Sequence, residues 1–148
     1  MIVKDANNTK LDVSVPAIII GGGACGLVAA LTLADSGIDA LVLERDPVPS
    51  GSTALSSGMI PACGTHIQRA AGVEDSAELL IHDIQSKAMG QADTTIVKAI
   101  ADASGPTVEW LIADHNINLT LVEGFLYAGF STLRLNAEPS RLGAEVME

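Results

Sequence analysis

Three glycines and one acid have the types and spacing of a site that binds a dinucleotide. Gly21, Gly23 and Gly26 form the pattern G-x-G-x-x-G, and Glu44 follows about 20 residues later, where such sites place an acid. The first glycine allows a tight turn, the second allows a pyrophosphate to approach the backbone, and the third allows a helix to pack closely on a strand. We therefore expect Glu44 to accept hydrogen bonds from the ribose hydroxyls.

The segments around these residues predict the elements that position them. Residues 17–20 and 40–43 are short apolar runs typical of buried parallel strands. Between them, the spacing predicts a helix from Ala24 to about residue 36, which Gly37 would end. The N–H groups at the start of this helix, including those of Ala24 and Cys25, would bind the phosphates. The sequence thus predicts an α/β fold with a Rossmann-like βαβ unit.

A membrane span is the alternative reading of this region. No charged residue occurs from Val13 to Ala34, and an apolar run of about 18 residues or more is a transmembrane candidate. However, Pro16 and four glycines interrupt the run, and the acidic residues Asp5 and Asp12 precede it, unlike the basic start of a signal peptide. We therefore favour the nucleotide site and expect no membrane association.

Length, composition and net charge limit the number of domains and the classes of function that the chain can have. The 148 residues suffice for one domain with a core, 48% are hydrophobic and 3% are aromatic. A net charge of -10, from 18 acidic and 8 basic residues, argues against a nucleic-acid surface. The two cysteines, Cys25 and Cys63, form no disulfide framework, so we expect a cytoplasmic protein, and the scattered His residues predict no metal site.

The second half of the chain carries weaker patterns. Asp75, Glu78 and Asp83 are expected to form a solvated helix face, and Gly105 with Pro106 should interrupt the helical pattern. The segments 50–58 and 59–72 are expected to be irregular. The predicted elements are helices at 75–89, 93–103, 106–112 and from 139 onward, and strands at 117–122 and 125–127.

With these stretches in view, the sequence resembles the flavoprotein family of fumarate reductase and succinate dehydrogenase, and most of all its soluble branch with 3-ketosteroid dehydrogenases and urocanate or tricarballylate oxidoreductases. Four pieces carry the resemblance: the glycine turn, Glu44 with Arg45, the Ser50–Gly58 loop, and the helix around Trp110. The resemblance implies FAD as cofactor. It also counts Arg45, beside Glu44, among the cofactor-binding residues. It places the following loop residues near the pyrophosphate and flavin: Ser52, Thr53, Ser57 and Gly58.

In membrane-bound relatives a His of this loop links the flavin covalently. Here Ser52 occupies that position and no His lies between Glu44 and Gly64, so the resemblance implies non-covalent FAD. Relatives run to several hundred residues, so the chain resembles their amino-terminal part, and their catalytic residues are expected beyond residue 148. The predicted organisation is a lead-in at 1–15 and an incomplete FAD-binding domain at 16–148, with the βαβ unit and flavin loop at 16–60 and a helical lead-in to an absent capping domain at 73–148.

The implied function is oxidation or reduction of a carbon–carbon bond next to a carbonyl or carboxylate. The substrate would be a dicarboxylate, an enoate or a steroid-like enone. Two alternatives remain open: a Rossmann enzyme that uses NAD directly, and a truncated module that binds a nucleotide without catalysis. A homo-oligomer or the remainder of a longer polypeptide are the expected protein partners.

Overall fold

The computed structural model describes residues 13–48 and 50–147, which form two compact units that divide at residue 49. Most of the predicted lead-in, residues 1–12, lies outside the described residues. The helices are α1 (Ala24–Asp35), α2 (Ser52–Leu55), α3 (His66–Ala70), α4 (Ala77–Lys87) and α5 (Thr94–Ala113), with a final 3-10 turn at Glu145–Met147. The strands are β1 (Ala17–Ile20), β2 (Ala40–Leu43), β3 (Ile60–Pro61), β4 (Thr120–Leu121) and β5 (Leu135–Ala137).

The first unit is the predicted βαβ arrangement. Strands β1 and β2 pair in parallel, with Ala17 opposite Ala40 and Ile20 opposite Leu43. Helix α1 connects them, and Gly37 follows its end with a φ of +68°, a conformation that glycine adopts without strain. Side chains alternate along both strands between half-buried and exposed, and Ile20 on the exposed face is 87% accessible. The strand and helix predictions for this unit are confirmed.

The second unit contains helices α2 to α5 and, in addition, a three-stranded sheet. Strand β5 lies between β3 and β4 and pairs antiparallel with both. One buried cluster contains Cys63, Leu80 and Ala101, and a second is built on Val122 and the apolar residues of β5. The short strands of this sheet offer too few residues for an alternating pattern to stand out in the sequence.

Helix α5 differs most clearly from its prediction. It runs without interruption through Gly105 and Pro106, where the sequence predicted a break. A Cβ atom at Gly105 would lie 2.3 Å from the carbonyl oxygen of Cys63, so glycine allows the helix to pack directly on that backbone. Burial of Val97, Val108 and Leu111 on one face of the helix offsets the hydrogen bond that proline removes.

Three shorter segments also differ from expectation. Residues 59–72, predicted to be irregular, contain β3 and α3, and Thr65 begins α3 with a capping box in which its side chain and that of Gln68 bind each other's backbone N–H. The stretch 125–127 is an exposed loop rather than a strand. The helix predicted from residue 139 is reduced to a 3-10 turn, and Arg141 before it has a φ of +56°, which an α-helix does not allow.

Candidate functional site

The glycine turn is shaped by a close contact between its first and last glycines. Gly21 has a φ of +102°, a conformation that favours glycine. A Cβ atom at Gly26 would lie 2.0 Å from the carbonyl oxygen of Gly21 and 3.2 Å from Cγ2 of Ile19. Only a residue without a side chain fits there, because α1 lies directly against the end of β1. Three residues, Gly21, Gly22 and Gly23, therefore suffice to connect β1 to α1.

The first turn of α1 is suited to an anion. Gly23 is the N-cap residue and makes no side-chain cap, and no acidic residue occupies the first helical turn. The positive end of the helix dipole and the N–H groups of this turn therefore face no carboxylate from the helix itself. Ala24 and Cys25, the predicted phosphate-binding residues, are exposed at this end. The Cys25 thiol is free.

Glu44 lies at the carboxyl end of β2 and binds the glycine turn. Its Oε2 atom accepts a hydrogen bond of 2.6 Å from the backbone N–H of Gly22, and its Oε1 atom accepts bonds of 2.7 and 3.1 Å from the N–H groups of Arg45 and Asp46. These bonds, that from Gly22 above all, lower the pKa of the Glu44 carboxyl below its usual range. An ionised, exposed carboxylate is thus held beside the turn, with acceptor capacity left at Oε2 among the described residues.

Gly22 is a site residue that the sequence analysis missed. A Cβ atom at this position would lie 3.2 Å from Oε2 of Glu44, so a side chain would crowd the carboxylate. The signal was present as a third consecutive glycine, at a position that the G-x-G-x-x-G pattern leaves unspecified. Arg45, which the resemblance placed in the site, directs its exposed guanidinium to Asp46 instead, with bonds of 3.1 and 2.9 Å.

The second unit contains the predicted flavin loop, which has one turn of helix at its centre. Ser52 begins α2 and is exposed, Thr53 is half-buried, and Ser57 is exposed. Gly58 is buried with a φ of +61°, and a Cβ atom there would lie 3.0 Å from Cγ2 of Val146. The three hydroxyl groups therefore differ in access, and Gly58 is fixed by packing within its own unit.

Ser56 and Gly143 hold the flavin loop in shape, and the sequence analysis missed both. The Ser56 hydroxyl donates to the carbonyl of Thr53 at 2.7 Å and accepts from the N–H of Gly58 at 3.0 Å. The N–H of Gly143 donates to the carbonyl of Ser56 at 3.0 Å, and a Cβ atom at Gly143 would lie only 1.8 Å from the carbonyl oxygen of Thr53. This contact joins positions far apart in sequence, so no local pattern could reveal it.

Asp75, Glu78 and Asp83 were predicted to form a solvated helix face, and this prediction is wrong for two of the three. The side chains of Asp75 and Asp83 are buried, and each lies within 3.1 Å of Nη2 of the fully buried Arg134. Glu78 alone is exposed. Cys63 is buried and His82 is exposed. In the part of the chain that the structure describes, no three His, Cys, Asp or Glu side chains come together as metal ligands.

Comparison with known proteins assigns the class of this fold. The family model for the FAD binding domain matches residues 17–142. The chain therefore belongs to the family of FAD-binding domains. Among the described residues, no helix combines the length and apolar character that crossing a membrane requires.

Similar proteins confirm the predicted branch of that family. Fumarate reductase (cytochrome) of Shewanella frigidimarina is 31% identical over 100 residues, which cover 68% of this chain and 18% of that protein. Urocanate reductase of Eggerthella lenta is 30% identical over 124 residues, which cover 84% of this chain and 20% of that protein. The chain thus spans about a fifth of the length of these relatives.

Solved structures agree with this assignment. The open conformation of a flavocytochrome c3 fumarate reductase matches with a TM-score of 0.76 and 26% identity, over 90% of this chain and 23% of that one. A 3-ketosteroid-delta4-(5alpha)-dehydrogenase from Rhodococcus jostii RHA1 matches with a TM-score of 0.75 over 97% of this chain and 36% of that one. At 22% identity, the second match bears on the fold alone.

Proposed function

We propose that this chain carries the nucleotide-binding part of a flavin-dependent oxidoreductase and holds FAD through its glycine turn and Glu44. The observation that carries the proposal is the contact of 2.6 Å between Oε2 of Glu44 and the N–H of Gly22. It supports a site in which one carboxylate and one helix start are held side by side. In a dinucleotide, the ribose hydroxyls suit such a carboxylate and the adjoining pyrophosphate suits such a helix start.

Each residue of this site has a distinct role in the proposal. The N–H groups in the first turn of α1 bind the pyrophosphate, and the ionised Glu44 accepts the ribose hydroxyls. Gly22 keeps space for the carboxylate, and Gly26 allows the helix start to lie against β1. The role of Ser52, Thr53 and Ser57, which lie in the second unit, stays a prediction of the family resemblance. FAD, when bound, supplies the group that accepts or donates a hydride.

We further propose that the cofactor is held without a covalent bond. Residues 44–58 contain no His, Cys or Tyr that could link to a flavin. Binding then depends on non-covalent contacts, those of the glycine turn and Glu44 among them, and it is reversible.

The reaction that we propose for the complete enzyme is reduction or oxidation of a carbon–carbon bond next to a carbonyl or carboxylate. The relatives are named for fumarate, urocanate and acrylate, and each of these compounds has a carbon–carbon double bond conjugated with a carboxylate. Another relative is named for 4-oxocyclohexanecarboxylate, where a ketone activates the neighbouring carbons. These shared features support an enoate or enone as substrate class.

The cofactor assignment is tested by titrating the purified chain with FAD and following flavin fluorescence. Glu44→Gln keeps the size of the side chain and removes its charge, so we expect affinity for FAD to fall by about 10- to 100-fold. Asp46→Asn is the matched control, because that neighbouring carboxylate pairs with Arg45, and it should leave the affinity unchanged. Circular dichroism of both variants should match that of the original chain.

A parallel titration with NADH distinguishes FAD binding from the main alternative, a Rossmann enzyme that uses NAD directly. If NADH binds more tightly than FAD and competes with it, the chain is a nicotinamide-binding unit. If neither binds, or if Glu44→Gln binds FAD as well as the original chain does, the proposed site is wrong.

A further inference from the structure

A buried cluster of three charged side chains lies in the second unit, where residues 130–134 meet α4. Nη2 of Arg134 lies 3.1 Å from Oδ1 of Asp75 and 2.9 Å from Oδ2 of Asp83. The side chains of Arg134 and Asp75 are 0% exposed and that of Asp83 is 3% exposed. One positive charge therefore meets two negative charges, and the fully ionised cluster keeps an uncompensated negative charge in the interior. Such a charge is costly, and the cluster favours uptake of one proton.

The cluster also anchors the aromatic segment, which we define as residues 125–131. Asp83 accepts hydrogen bonds from the backbone N–H of Ser131, at 2.7 Å, and from the Ser131 hydroxyl. The guanidinium of Arg134 lies 4.9 Å from the ring centroid of Phe130, within the range of a cation–π contact. Tyr127 packs against Phe130, and Phe125 against Tyr127. Three of the four aromatic residues of the chain thus lie in a segment whose attachment depends on this cluster.

The two carboxylates are not equivalent, because their surroundings differ. Asp83 faces both donors of Ser131, the charge of Arg134, and the exposed His82, whose Nδ1 is 3.6 Å away. Burial raises the pKa of Asp83, but these contacts outweigh burial, so its pKa lies below the ordinary value.

The ionised form of Asp75 is stabilised less than that of Asp83. It accepts bonds from Nε2 of Gln68 on α3, at 2.8 Å, and from the N–H of Ser76, at 2.9 Å. Its remaining charged neighbours are Arg134, which it shares, and Asp83, which repels it. Burial dominates, so the pKa of Asp75 lies above its ordinary value of 3.8. Asp75 is therefore the group that takes the proton.

We propose that this cluster is a proton-operated latch: a proton from solvent binds Asp75, leaves Arg134 to pair with Asp83 alone, and tightens attachment of the aromatic segment to α4. Gln68, which donates to Asp75, also donates to the carbonyl of Leu133 at 2.9 Å, so Asp75 is joined to the residues that follow the aromatic segment both through Gln68 and through Arg134. Detachment of residues 125–134 from α4 would therefore open Asp75 to water, and the attached state holds the proton more tightly than the detached state. By linkage, attachment becomes stronger as pH falls through the raised pKa of Asp75 toward 3.8. The latch is independent of FAD and goes beyond the proposed function.

Hydrogen exchange read by mass spectrometry tests the latch on the whole chain. Rates are corrected for the intrinsic effect of pH, and peptides covering 123–134 are followed from about pH 8 to about pH 4.5. We expect protection of these peptides to rise on acidification, by up to about tenfold for each unit by which the pKa of Asp75 is raised. Peptides from α5 serve as the internal reference.

Three variants assign the effect to its residues. Asp75→Asn should remove the pH dependence of protection at 123–134. Asp83→Asn should lower protection at every pH, because the amide keeps one acceptor oxygen and its nitrogen cannot accept the second bond from Ser131. Glu78→Gln is the matched control, since this acid lies on α4 but is exposed, and it should retain the original profile. Flat or falling protection of the original chain on acidification overturns the proposal, as does an unchanged profile in Asp75→Asn.

If a variant does not fold, titration of the Asp75 carboxyl in the original chain still tests the proposal. The carbon-13 shift of the Asp75 carboxyl, measured by NMR in the original chain, should report a midpoint above 3.8 that coincides with the change in protection. A midpoint at or below 3.8, or one well separated from the change in protection, shows that Asp75 is not the group that operates the latch.

Discussion

Gly26→Ala is the most direct test of the glycine turn, because the structure defines what the added carbon would meet. The new Cβ atom would lie 2.0 Å from the carbonyl oxygen of Gly21, a distance that non-bonded atoms do not tolerate. To restore ordinary contact, α1 or the turn has to move by roughly 1 Å. Cβ of the new residue would also crowd Ile19, so the strand below resists that movement.

The expected cost follows from two opposing terms. Alanine favours a helix over glycine by at most about 1 kcal/mol. Forcing an extra carbon into a packed contact costs about 1–3 kcal/mol, and more where backbone atoms have to move. Because the clashing atom is a backbone oxygen, the packing cost lies at the upper end of its range. The net effect should be a loss of roughly 1–2 kcal/mol in the free energy of unfolding, together with weaker FAD binding because the helix start is displaced.

Urea unfolding followed by circular dichroism measures the change in the free energy of unfolding. Titration with FAD measures the loss of affinity that displacement of the turn should cause. Gly51→Ala is the control for stability alone, because no atom lies within 4 Å of the added carbon and the φ of -78° at Gly51 suits any residue. A Gly26→Ala protein as stable as the original, with unchanged affinity for FAD, would refute the assignment of this contact. Loss of stability in Gly51→Ala as well would show a general intolerance of alanine rather than a specific contact.

Three further predictions concern the cofactor, the complete enzyme and the second unit. Acid precipitation of the FAD-loaded chain should leave the yellow colour in the supernatant, and colour in the pellet would show a covalent link. Because the chain spans about a fifth of its relatives, it should bind FAD without reducing fumarate, urocanate or a ketosteroid enone in anaerobic reduced-dye assays, and clear turnover would contradict this. Thr65→Ala removes the cap of α3 and should cost about 0.5–2 kcal/mol in urea unfolding, whereas Thr95→Ala, on an exposed turn of α5, should have little effect.

The first unit could be predicted from sequence because its signals are local. The glycines, the apolar runs 17–20 and 40–43, and Gly37 all act on elements within a few residues of themselves. Even the contact between Gly22 and Glu44 joins the two ends of one βαβ unit. The sequence did not indicate that Gly22 is the residue that binds Glu44, because the G-x-G-x-x-G motif leaves that position unspecified.

The capping box of α3 is a local signal that could have predicted the start of this helix from the sequence, but residues 59–72 were predicted to be irregular. Thr65 and Gln68 have the spacing and types that such a box requires. The helix that follows has only five residues, so it contributes too little periodicity to draw attention to its start.

The acidic residues of α4 show where sequence reasoning ends for a physical reason. A carboxylate on a short amphipathic helix is normally solvated, and by that rule Asp83 belonged with Glu78. What buries Asp83 is Ser131, 48 residues further along the chain, together with Arg134. Neither partner has a pattern that marks it as buried, and the pairing depends on the sheet that brings β5 beside β3. A buried charge cluster is a property of the packed chain, so its carboxylates become identifiable only when the cation between them is seen.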